Sequence, residues 1–528
     1  MPSIYTPPPE HPHLSGLDEG LLRAVALGGA RLTMPQALEI YRSMGLPSLG
    51  RFADARCRQI HGDAFRTYVI DRNINYTNVC SAKCTFCAFR RDADASDAYT
   101  LSYEALYDKV AELVSIGGTQ ILMQGGMNPN LPLDWYIKLL TGLKERFPGV
   151  HVHGFSPPEF IEFVHFFDPP GATLEDKIHS VMKPLRDAGL DSVPGGGGEI
   201  FSHAVRRKIG LGKCDAESWL TVMYVAHSLG MFTSATMMFG HIESPIDRIH
   251  HMALVRAWQD RALREGGASP SDIPASHGAD AQTGLKHRAR GGFGHYKAFI
   301  SWPFQRENTP LGRVPDWGAD PADLRREFPG DAVARASKLI ELSGDRLMDL
   351  DPSLPRGTRS ADAYDFDAID ASEYPTAALF GKRVRMAGAS DYLKTQALSR
   401  LFLDNIYSIG ASWVTMGPHI GQVALAYGAN DMGSVMMEEN VVSSAGTTYC
   451  LDEAVLCRLI RDAGFLPAQR DNVYDLLRIH AGPQSPDLKV ADWSQHRART
   501  MHQQAPKAPK ASAKATLTVS AGSTQTPN

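Results

Sequence analysis

The sequence lacks several features that would assign it to common classes of protein. Its 528 residues contain no apolar run of 18, so we expect no transmembrane helix. Basic residues are not in excess, with 54 Lys and Arg against 58 Asp and Glu, which argues against nucleic acid and a membrane surface as partners. The first residues lack the charged and apolar segments of a signal peptide. We therefore expect a cytoplasmic protein.

Cysteine is also scarce. There are seven cysteines, an odd number, and three of them lie in one short segment, which indicates a reducing compartment rather than a disulfide framework. Hydrophobic residues make up 43% of the chain and charged residues 21%, as is typical of globular proteins. The length suffices for one large domain with additions, or for two domains.

Short apolar runs alternate with amphipathic helical patterns from about residue 66 onward. The strand candidates are TYVIDRNINYT, TQILMQGG, VHVHGFS, LDSVPGG, MFTSATMMFG, KAFISWPF and SWVTMG, with GANDMGS as a weaker eighth. Strands that alternate with helices predict parallel β/α units. About eight such repeats predict an α/β fold of the (β/α)₈ barrel type.

The rest of the chain is predicted to surround this barrel. A Pro-rich lead and helices are expected over residues 1–65, the barrel and its C-terminal part over 66–475, an extension over 476–496 and a disordered tail over 497–528. Two surface insertions are expected, at about 263–292 and 312–386, because neither stretch keeps the β/α pattern. The second contains a possible helix, DAVARASKLIELSGDRLM.

The most informative feature is the spacing of Cys80, Cys84 and Cys87 in YTNVCSAKCTFCAFRR. Three thiolates in one short loop can converge on one metal centre, and thiolates favour zinc or an iron–sulfur cluster. No cysteine lies between Cys87 and Cys214, so a cubane cluster would keep one iron without a protein ligand. Such an iron could bind a substrate or cofactor, as an open zinc site does.

Two other interpretations of these cysteines compete with a cluster. They could be buried, reduced side chains that act as small hydrophobes, or ligands of a zinc ion completed by His151 or His153. The other cysteines are interpreted as ordinary helix residues and three further histidines as structural: Cys57, Cys214, Cys450 and Cys457, and His227, His250 and His251.

Polar and glycine-rich positions follow four of the predicted strands, at residues 124–126, 155–159, 195–199 and 241–243. In a β/α barrel the C-terminal ends of the strands meet at one mouth, so we expect these positions to lie near the cysteine loop. Each glycine run alone is also explained by a tight turn between a strand and a helix.

The C-x-x-x-C-x-x-C motif, with Phe86 before its last cysteine, resembles the signature of the radical S-adenosylmethionine (SAM) enzymes. The resemblance implies a [4Fe–4S] cluster held by Cys80, Cys84 and Cys87, with SAM on the fourth iron as the source of a 5′-deoxyadenosyl radical. QGG stands where that superfamily has a GGE element. The residues implied to contact the cofactors are Phe89, Gln124, Gly125, Gly126, Ser156 and Glu199. Glu199 could instead cap the following helix, since carboxylates favour first turns.

The resemblance extends from about residue 50 to residue 475, apart from the insertions. QGGMNP, FSPPE, SWVTMG and MMEENVVSSAG resemble the radical SAM enzymes of the futalosine route to menaquinone, and among them the dehypoxanthine futalosine cyclases more than the aminofutalosine or deazaflavin-forming synthases. This resemblance implies hydrogen abstraction from ribose carbon 4′ of dehypoxanthine futalosine and addition of the ribose radical to the benzoate ring. An external one-electron donor of the flavodoxin or ferredoxin type is implied as well.

Such a reaction needs a base for the ring proton and a partner for the substrate carboxylate. The candidates for the base are Glu159, Glu243, Glu438 and Glu439. The candidates for the carboxylate partner are Arg90, Arg91, Arg306 and a backbone N–H at the rim. The alternative enzyme is an aminofutalosine synthase or another sister radical SAM synthase. The alternative without catalysis is a zinc-binding or iron–sulfur protein.

Overall fold

The computed structural model describes residues 19–267, 292–316 and 384–496. Most of both predicted insertions, the predicted helix at 331–348 and the predicted tail lie outside these residues. The described residues on either side of the second insertion lie next to each other, because Asp316 and Val384 form a parallel bridge. No helix within the described ranges is long and apolar enough to cross a membrane.

Eleven strands of the described chain form one sheet. They are β1 Phe65–Val69, β2 Asp71–Asn75, β3 Gln120–Gln124, β4 His151–Gly154, β5 Ser192–Val193, β6 Phe232–Phe239, β7 Tyr296–Pro303, β8 Ser408–Gly410, β9 Asp431–Ser434, β10 Leu466–Arg470 and β11 Leu476–Ile479. Their order in the sheet is β11-β10-β1-β9-β8-β7-β6-β5-β4-β3-β2. The pairing of β10 with β11 is antiparallel, and the other pairings are parallel.

One run of chain, residues 65–75, joins the two ends of the barrel sheet, because only Ile70 separates β1 from β2. β1 pairs with β9, and β2 pairs with β3. With residues 65–75 taken as one broken strand, this run and the seven strands β3 to β9 occupy eight positions around a barrel. The prediction of a (β/α)₈ barrel is confirmed. The additional strands β10 and β11 extend the sheet beside β1, and β11 lies in the predicted C-terminal extension.

The helices lie outside this sheet and connect its strands. Their bounds are Glu19–Ala26, Met34–Ser43, Leu46–His61, Tyr103–Ser115, Leu133–Arg146, Pro157–Phe167, Leu174–Asp187, His203–Ile209, Ala216–Ser228, Pro245–Glu265, Ala389–Phe402, Trp413–Met416, Pro418–Ala424, Val441–Ser444 and Glu453–Asp462. Several begin at a side-chain cap. The Thr33 hydroxyl, for example, accepts a hydrogen bond from the Gln36 N–H, and the Gln36 side chain accepts one from the Thr33 N–H.

The N-terminal helices cover the outer side of the helix Pro245–Glu265. Most residues of that helix are buried although many are charged, a pattern that requires partners on every side. Arg31 pairs with Asp260 at 2.8 Å, and Arg256 donates to the Leu32 carbonyl at 2.8 Å. These contacts satisfy buried charges that would otherwise be costly. His250 and His251 lie in this helix and His227 in Ala216–Ser228, all buried, as the structural interpretation requires.

Two local predictions were wrong, and two strands were missed. SWVTMG was predicted as a strand, but the strand is β8, which ends at Gly410, and Trp413–Met416 is a short helix. The Trp413 ring is buried there, and its Nε1–H donates to the Ser434 carbonyl at 3.1 Å. β10 and β11 were not predicted. Cys214 and Cys450 are not helix residues, because the helices that follow them begin at later aspartate caps.

Candidate functional site

The cysteine loop follows β2 and packs against the loop after β3. With Met127 of that second loop, the side chains of Cys80, Ala82, Cys84, Phe86 and Cys87 form a small apolar cluster. Phe86 packs against the main core as well. Backbone hydrogen bonds hold the loop from two sides. The Ser81 N–H donates to the Met127 carbonyl at 2.9 Å, and the Thr85 N–H donates to the Ile209 carbonyl at 2.8 Å. The Arg91 guanidinium adds hydrogen bonds to three carbonyls of residues 88–90, so the loop conformation is fixed by its own chain.

The environment of the thiols favours their protonated form. Burial raises the pKa of the Cys84 thiol to about 12 and also raises the pKa of Cys80, while the Lys213 ammonium opposes both shifts. Because thiolates are the metal-binding form, a metal would bind here with release of protons. In the described part of the chain, no three His, Cys, Asp or Glu side chains are already arranged as a metal site.

Gly125 and Gly126 stand where no side chain could fit. A Cβ on Gly126 would lie 2.0 Å from the Val79 carbonyl oxygen, and one on Gly125 would lie 2.4 Å from the Tyr76 ring. The Gly126 N–H donates to the Thr77 carbonyl at 2.9 Å. The glycines therefore let this loop lie directly against the backbone that leads into the cysteines.

Glu159 holds together the loops that follow the C-terminal ends of the strands and form the rim of the barrel. It is buried, and its carboxylate accepts from the Tyr76 hydroxyl (2.7 Å), the Gly125 N–H (3.1 Å), and the N–H (2.7 Å) and hydroxyl (2.6 Å) of Ser156. Burial raises the pKa of Glu159, and these hydrogen bonds oppose the shift. The side chain thus joins the ends of β2, β3 and β4. Since the N–H of Gly125 is engaged, a ligand would meet carbonyl oxygens or the Gln124 side chain.

Glu199 and Lys213 form a buried ion pair beside the cysteine loop. Lys213 Nζ lies 2.6 Å from Glu199 Oε1 and 4.9 Å from the centroid of the Phe86 ring. Burial alone would raise the pKa of Glu199, but the Lys213 charge and hydrogen bond outweigh it and lower that pKa. Glu199 Oε2 is buried and has no hydrogen-bond partner in the described residues. Glu199 does not cap a helix, because the next one begins at His203.

A cavity of about 340 Å³ fills the barrel and reaches the rim. One side of its wall is mainly polar and comes from β2 to β6: Asp71, Asn73, Gln120, Gln124, His153, Ser192, Ser234 and Thr236. The other side comes from β7 and the segments around β8 to β10. It has an apolar part and also carries the charged groups of Lys297, Asp431, Glu439 and Arg470; the apolar part is made by Ala298, Ile300, Trp302, Trp413, Val414, Met432 and Met436. The arrangement suits a ligand that has one hydroxyl-rich and one aromatic part.

Some of the rim segments predicted from the sequence are in contact with one another. A Cβ on Gly196 would lie 2.2 Å from Gln124 Nε2 and 3.2 Å from Ser156 Cβ, so these three positions are in contact. Phe89 packs edge to face on the Tyr99 ring, with 6.3 Å between the ring centroids.

Neither His151 nor His153 belongs to the cluster of the cysteine loop. Both rings lie 2.6 Å from the Ser192 hydroxyl.

Two other glutamates predicted as bases form ion pairs with basic side chains outside the cavity. Glu243 is buried and accepts from Arg248 at 2.8 Å, and Glu438 is buried between Arg72 (2.8 Å) and Lys109 (2.7 Å). Neither these two nor Glu159 is among the residues that line the cavity, whereas Glu439 is.

The arginines predicted to bind a carboxylate also have partners. Arg90 is paired with Asp92, Arg91 with Asp97 and Arg306 with Asp316.

Sequence reasoning missed three groups at this site: Lys213, Lys297 and Asp71. Lys297 lines the cavity, is buried, and its Nζ has no hydrogen-bond partner within the described chain. Asp71 and Asn73 alternate along β2 and line the same cavity. A barrel strand with polar residues at every second position signals a polar lumen. That signal was present in DRNIN.

Comparison with known families decides the class of the protein. A profile of the radical SAM superfamily matches residues 74–255, which include the cysteine loop. A profile described as the CofH/MqnC C-terminal region matches residues 378–482. The chain belongs to the radical SAM superfamily. The first match runs from the end of β2 through β6 and the second covers β8 to β11, so the two profiles together span most of the barrel.

Similar proteins carry more than one name. The cyclic dehypoxanthine futalosine synthase of Halalkalibacterium halodurans is 34% identical, over 87% of this chain and 95% of the relative. The protein of the same name from Streptomyces coelicolor is 31% identical, over 87% and 88%. The aminodeoxyfutalosine synthase of Thermus thermophilus is 30% identical, over 85% and 94%. These values show the family and leave the substrate open.

A solved structure supports the fold. The FeFe-hydrogenase maturase HydG of Carboxydothermus hydrogenoformans matches with a TM-score of 0.50 at 15% identity, over 87% of this chain and 80% of that chain.

Membership of the superfamily implies a [4Fe–4S] cluster and SAM, and the residues present fit both. Three thiols on one fixed loop are a donor set for an iron–sulfur cluster. The unpartnered Glu199 Oε2 beside that loop is an acceptor for a hydroxyl or ammonium group.

Proposed function

We propose that this protein is a radical SAM cyclase that converts dehypoxanthine futalosine to cyclic dehypoxanthine futalosine in the futalosine route to menaquinone. The observation that carries the proposal is the two-sided cavity inside the barrel. The substrate has the same division, since a hydroxyl-bearing ribose is joined to an aromatic acid. Two relatives at 34% and 31% identity bear the name of this activity. We place the reaction in the cytoplasm, with an external one-electron donor of the flavodoxin or ferredoxin type.

The cofactor site is proposed to lie at the rim. Cys80, Cys84 and Cys87 would hold the cluster, and Phe89 would shield it. Gln124, Gly125, Gly126, Ser156 and Glu199 would border SAM. When bound, these cofactors supply the 5′-deoxyadenosyl radical that takes the hydrogen atom from ribose carbon 4′. The Lys213 charge keeps Glu199 ionised, so its free oxygen would accept from the ribose or ammonium group of SAM.

The cavity walls would orient the substrate. Asn73 and Gln124 offer amide groups to the ribose hydroxyls, and Asn73 Oδ1 has no partner in the described residues. The benzoate ring would lie against Ile300 and Trp302. This arrangement holds ribose carbon 4′ towards the rim and brings the ring close to it.

We propose Lys297 as the partner of the substrate carboxylate, in place of the arginines suggested by the sequence. Two cationic side chains line the cavity within the described residues, Lys297 and Arg470. Arg470 already donates two hydrogen bonds to Asp431, at 2.6 and 2.9 Å. Lys297 Nζ lies 4.2 Å from the centroid of the Phe232 ring and has no hydrogen-bond partner there. A buried ammonium without a partner gains most from an incoming anion.

The test is turnover of dehypoxanthine futalosine by the reconstituted enzyme with SAM and a reductant, followed by mass spectrometry. We expect a product two hydrogens lighter than the substrate. With deuterium at ribose carbon 4′, we expect the label in 5′-deoxyadenosine. Cys84→Ala serves as the control that should form neither product. Absence of the label, or turnover only with an enolpyruvyl benzoate, would assign the protein to the aminofutalosine synthases instead.

A further inference from the structure

Two segments distant in sequence lie directly against the cysteine loop. The Lys83 N–H donates to the Leu211 carbonyl at 2.8 Å, and the Thr85 carbonyl accepts from the Leu311 N–H at 2.8 Å. The segments that contain Leu211 and Leu311 therefore flank the loop that carries the three cysteines. A molecule that binds across the two segments from solvent would also lie close to those cysteines.

The side chains that the loop and its two flanking segments expose to solvent include four basic ones. They are Lys83 in the loop, Arg207 and Lys208 just before Leu211, and Arg313 just after Leu311. In the part of the chain that the structure describes, none of the four forms an ion pair. Their charges are therefore free to attract an acidic partner.

Acidic residues do not cancel these charges. Residues 80–87, 203–212 and 311–313 contain no Asp or Glu. Of the carboxylates close to them in sequence, Asp92, Asp97 and Asp316 are each already paired with an arginine. Glu162 contacts the Ser81 hydroxyl at 3.4 Å, but its side chain is only 15% exposed. The surface around the cysteine loop is therefore locally positive.

This surface also has an apolar side chain. Leu211, which is hydrogen-bonded to Lys83 through the backbone, is 48% exposed. Protein interfaces commonly combine apolar contacts with charged residues around them. A small anion would gain nothing from a leucine, so the combination favours a protein as the partner. We refer to Lys83, Arg207, Lys208, Leu211 and Arg313 as the basic face.

We infer that the basic face is the docking site of an acidic protein that carries one electron. The inference rests on the proposed function, which needs an external electron donor, and it specifies where that donor binds. The reduced carrier loses one electron and the cluster held by the cysteines gains it, with no bond formed or broken. A carrier on the basic face lies against the loop that bears the cluster ligands, so the path of the electron is short.

Charge would orient the carrier as well as attract it. The chain as a whole has a formal charge of -4, so most of its surface does not favour an acidic protein. A local positive face then selects one orientation of the encounter. Exposed charges are screened over about 8 Å at physiological ionic strength. Binding should therefore weaken as the salt concentration rises.

The test is binding of two acidic carriers to the reconstituted enzyme, an oxidised flavodoxin and an oxidised ferredoxin, measured by biolayer interferometry. We expect at least one of them to bind, and less tightly at higher salt. Lys208→Glu combined with Arg313→Glu should raise its Kd about tenfold or more at low salt, because two attractive charges become repulsive. The matched control, Lys138→Glu with Lys489→Glu, makes the same change of charge at exposed positions of other elements and should leave the Kd nearly unchanged.

Formation of 5′-deoxyadenosine separates docking from damage to the cysteine loop. Titanium(III) citrate is a small reductant that needs no docking surface, so with it the double variant should match the wild type. With a limiting amount of the reduced carrier, the rate of the double variant should fall in proportion to its affinity. Lys83→Glu is a second variant, measured by binding alone, for the case in which the double variant does not fold.

Three results would overturn the inference. They are unchanged affinity of the variants for the carrier, binding of neither carrier by the wild type, and an equal loss of 5′-deoxyadenosine with both reductants. Binding to phosphatidylglycerol vesicles in place of both carriers would overturn it as well, and would assign the basic face to a membrane surface. A wild-type enzyme that binds the carrier but never cyclises dehypoxanthine futalosine would refute the proposed substrate and leave the docking site in place.

Discussion

Lys213 Nζ lies 2.6 Å from Glu199 Oε1 beside the cysteine loop, where the Glu199 side chain is buried and the Lys213 side chain is mostly buried. Lys213 also faces the Phe86 ring, and its charge favours the thiolate of Cys84. Glu199 has a positive φ of 38°, a conformation that costs energy for a residue with a side chain. One lysine therefore links the predicted cluster ligand to the predicted SAM contact.

Replacing Lys213 with Met should affect both sides of this pair. Glu199 would be left as an unpaired buried charge, which costs about 3–5 kcal/mol. We expect a lower free energy of unfolding and weaker binding of SAM by the reconstituted protein, measured by urea denaturation and by calorimetry. Lys208→Met, at an exposed position of the preceding helix, is the matched control. Wild-type SAM affinity in a folded Lys213→Met protein would show that Glu199 does not depend on this charge.

Gly126→Ala should prevent the cysteine loop from taking its position. The new Cβ would lie 2.0 Å from the Val79 carbonyl oxygen, so the backbone next to Cys80 would have to move. We expect the reconstituted variant to retain much less iron than the wild type. Gly149→Ala is the control, since a Cβ there meets nothing within 4 Å. Full iron content in Gly126→Ala would contradict the proposed place of the cluster.

Lys297→Met should stabilise the fold while it weakens binding of the substrate. Burial lowers the pKa of Lys297, with Asp475 and Asp471 opposing the shift, so the group costs stability at neutral pH. Removing a buried polar group without a partner should raise the free energy of unfolding by about 1–3 kcal/mol. The gain should shrink as the pH rises towards the pKa of an unfolded lysine.

Binding of a 3-acylbenzoate and of its carboxamide separates the two effects. We expect Lys297→Met to lose affinity for the carboxylate and to keep its affinity for the carboxamide. Lys138→Met, at an exposed position, should change neither stability nor binding. Equal affinity of Lys297→Met and wild type for the carboxylate would exclude Lys297 as its partner.

Histidines inside the fold should make it sensitive to acid. Burial lowers the pKa of His151 and His250 to about 4 and that of His153 and His227 to about 3. Below pH 6.5 the unfolded chain binds protons that the folded chain does not, so stability is lost as the pH falls. The free energy of unfolding should therefore fall between pH 7 and pH 5, and each histidine that stays neutral in the fold contributes up to about 1.4 kcal/mol per pH unit to that slope.

Urea denaturation at pH 7, 6 and 5 would measure this slope. His227→Gln can keep a hydrogen bond to Thr233, which lies 2.7 Å from the ring, and should reduce the slope by up to about 1.4 kcal/mol per pH unit. The exposed His179 provides the control, and His179→Gln should leave the slope unchanged. An unchanged slope in His227→Gln would mean that its burial does not couple folding to protonation.

The fold was predictable from the sequence because its strands are marked by apolar runs that alternate with helices. SWVTMG failed because a buried Trp side chain is compatible with a strand or a helix, and the choice depends on packing against Ser434. The cysteine loop and the glycine rim were likewise visible as local patterns. The contacts of Asp71, Lys213 and Lys297 were not, since each side chain meets residues far away in the chain, such as Phe86 for Lys213. The Asp71 and Ser434 side chains, for example, are 363 positions apart.

The broken strand at residues 65–75 has a consequence for the order in which the protein is made. Thr67 and its partner Asp431 are separated by 364 positions, so the ribosome releases the cysteine loop long before the strand that closes the barrel. Until then the nascent chain presents an unpaired strand edge, which invites contact with other chains. Contacts of such long range also form slowly. The barrel that carries the cysteines therefore stays open until β9 has emerged.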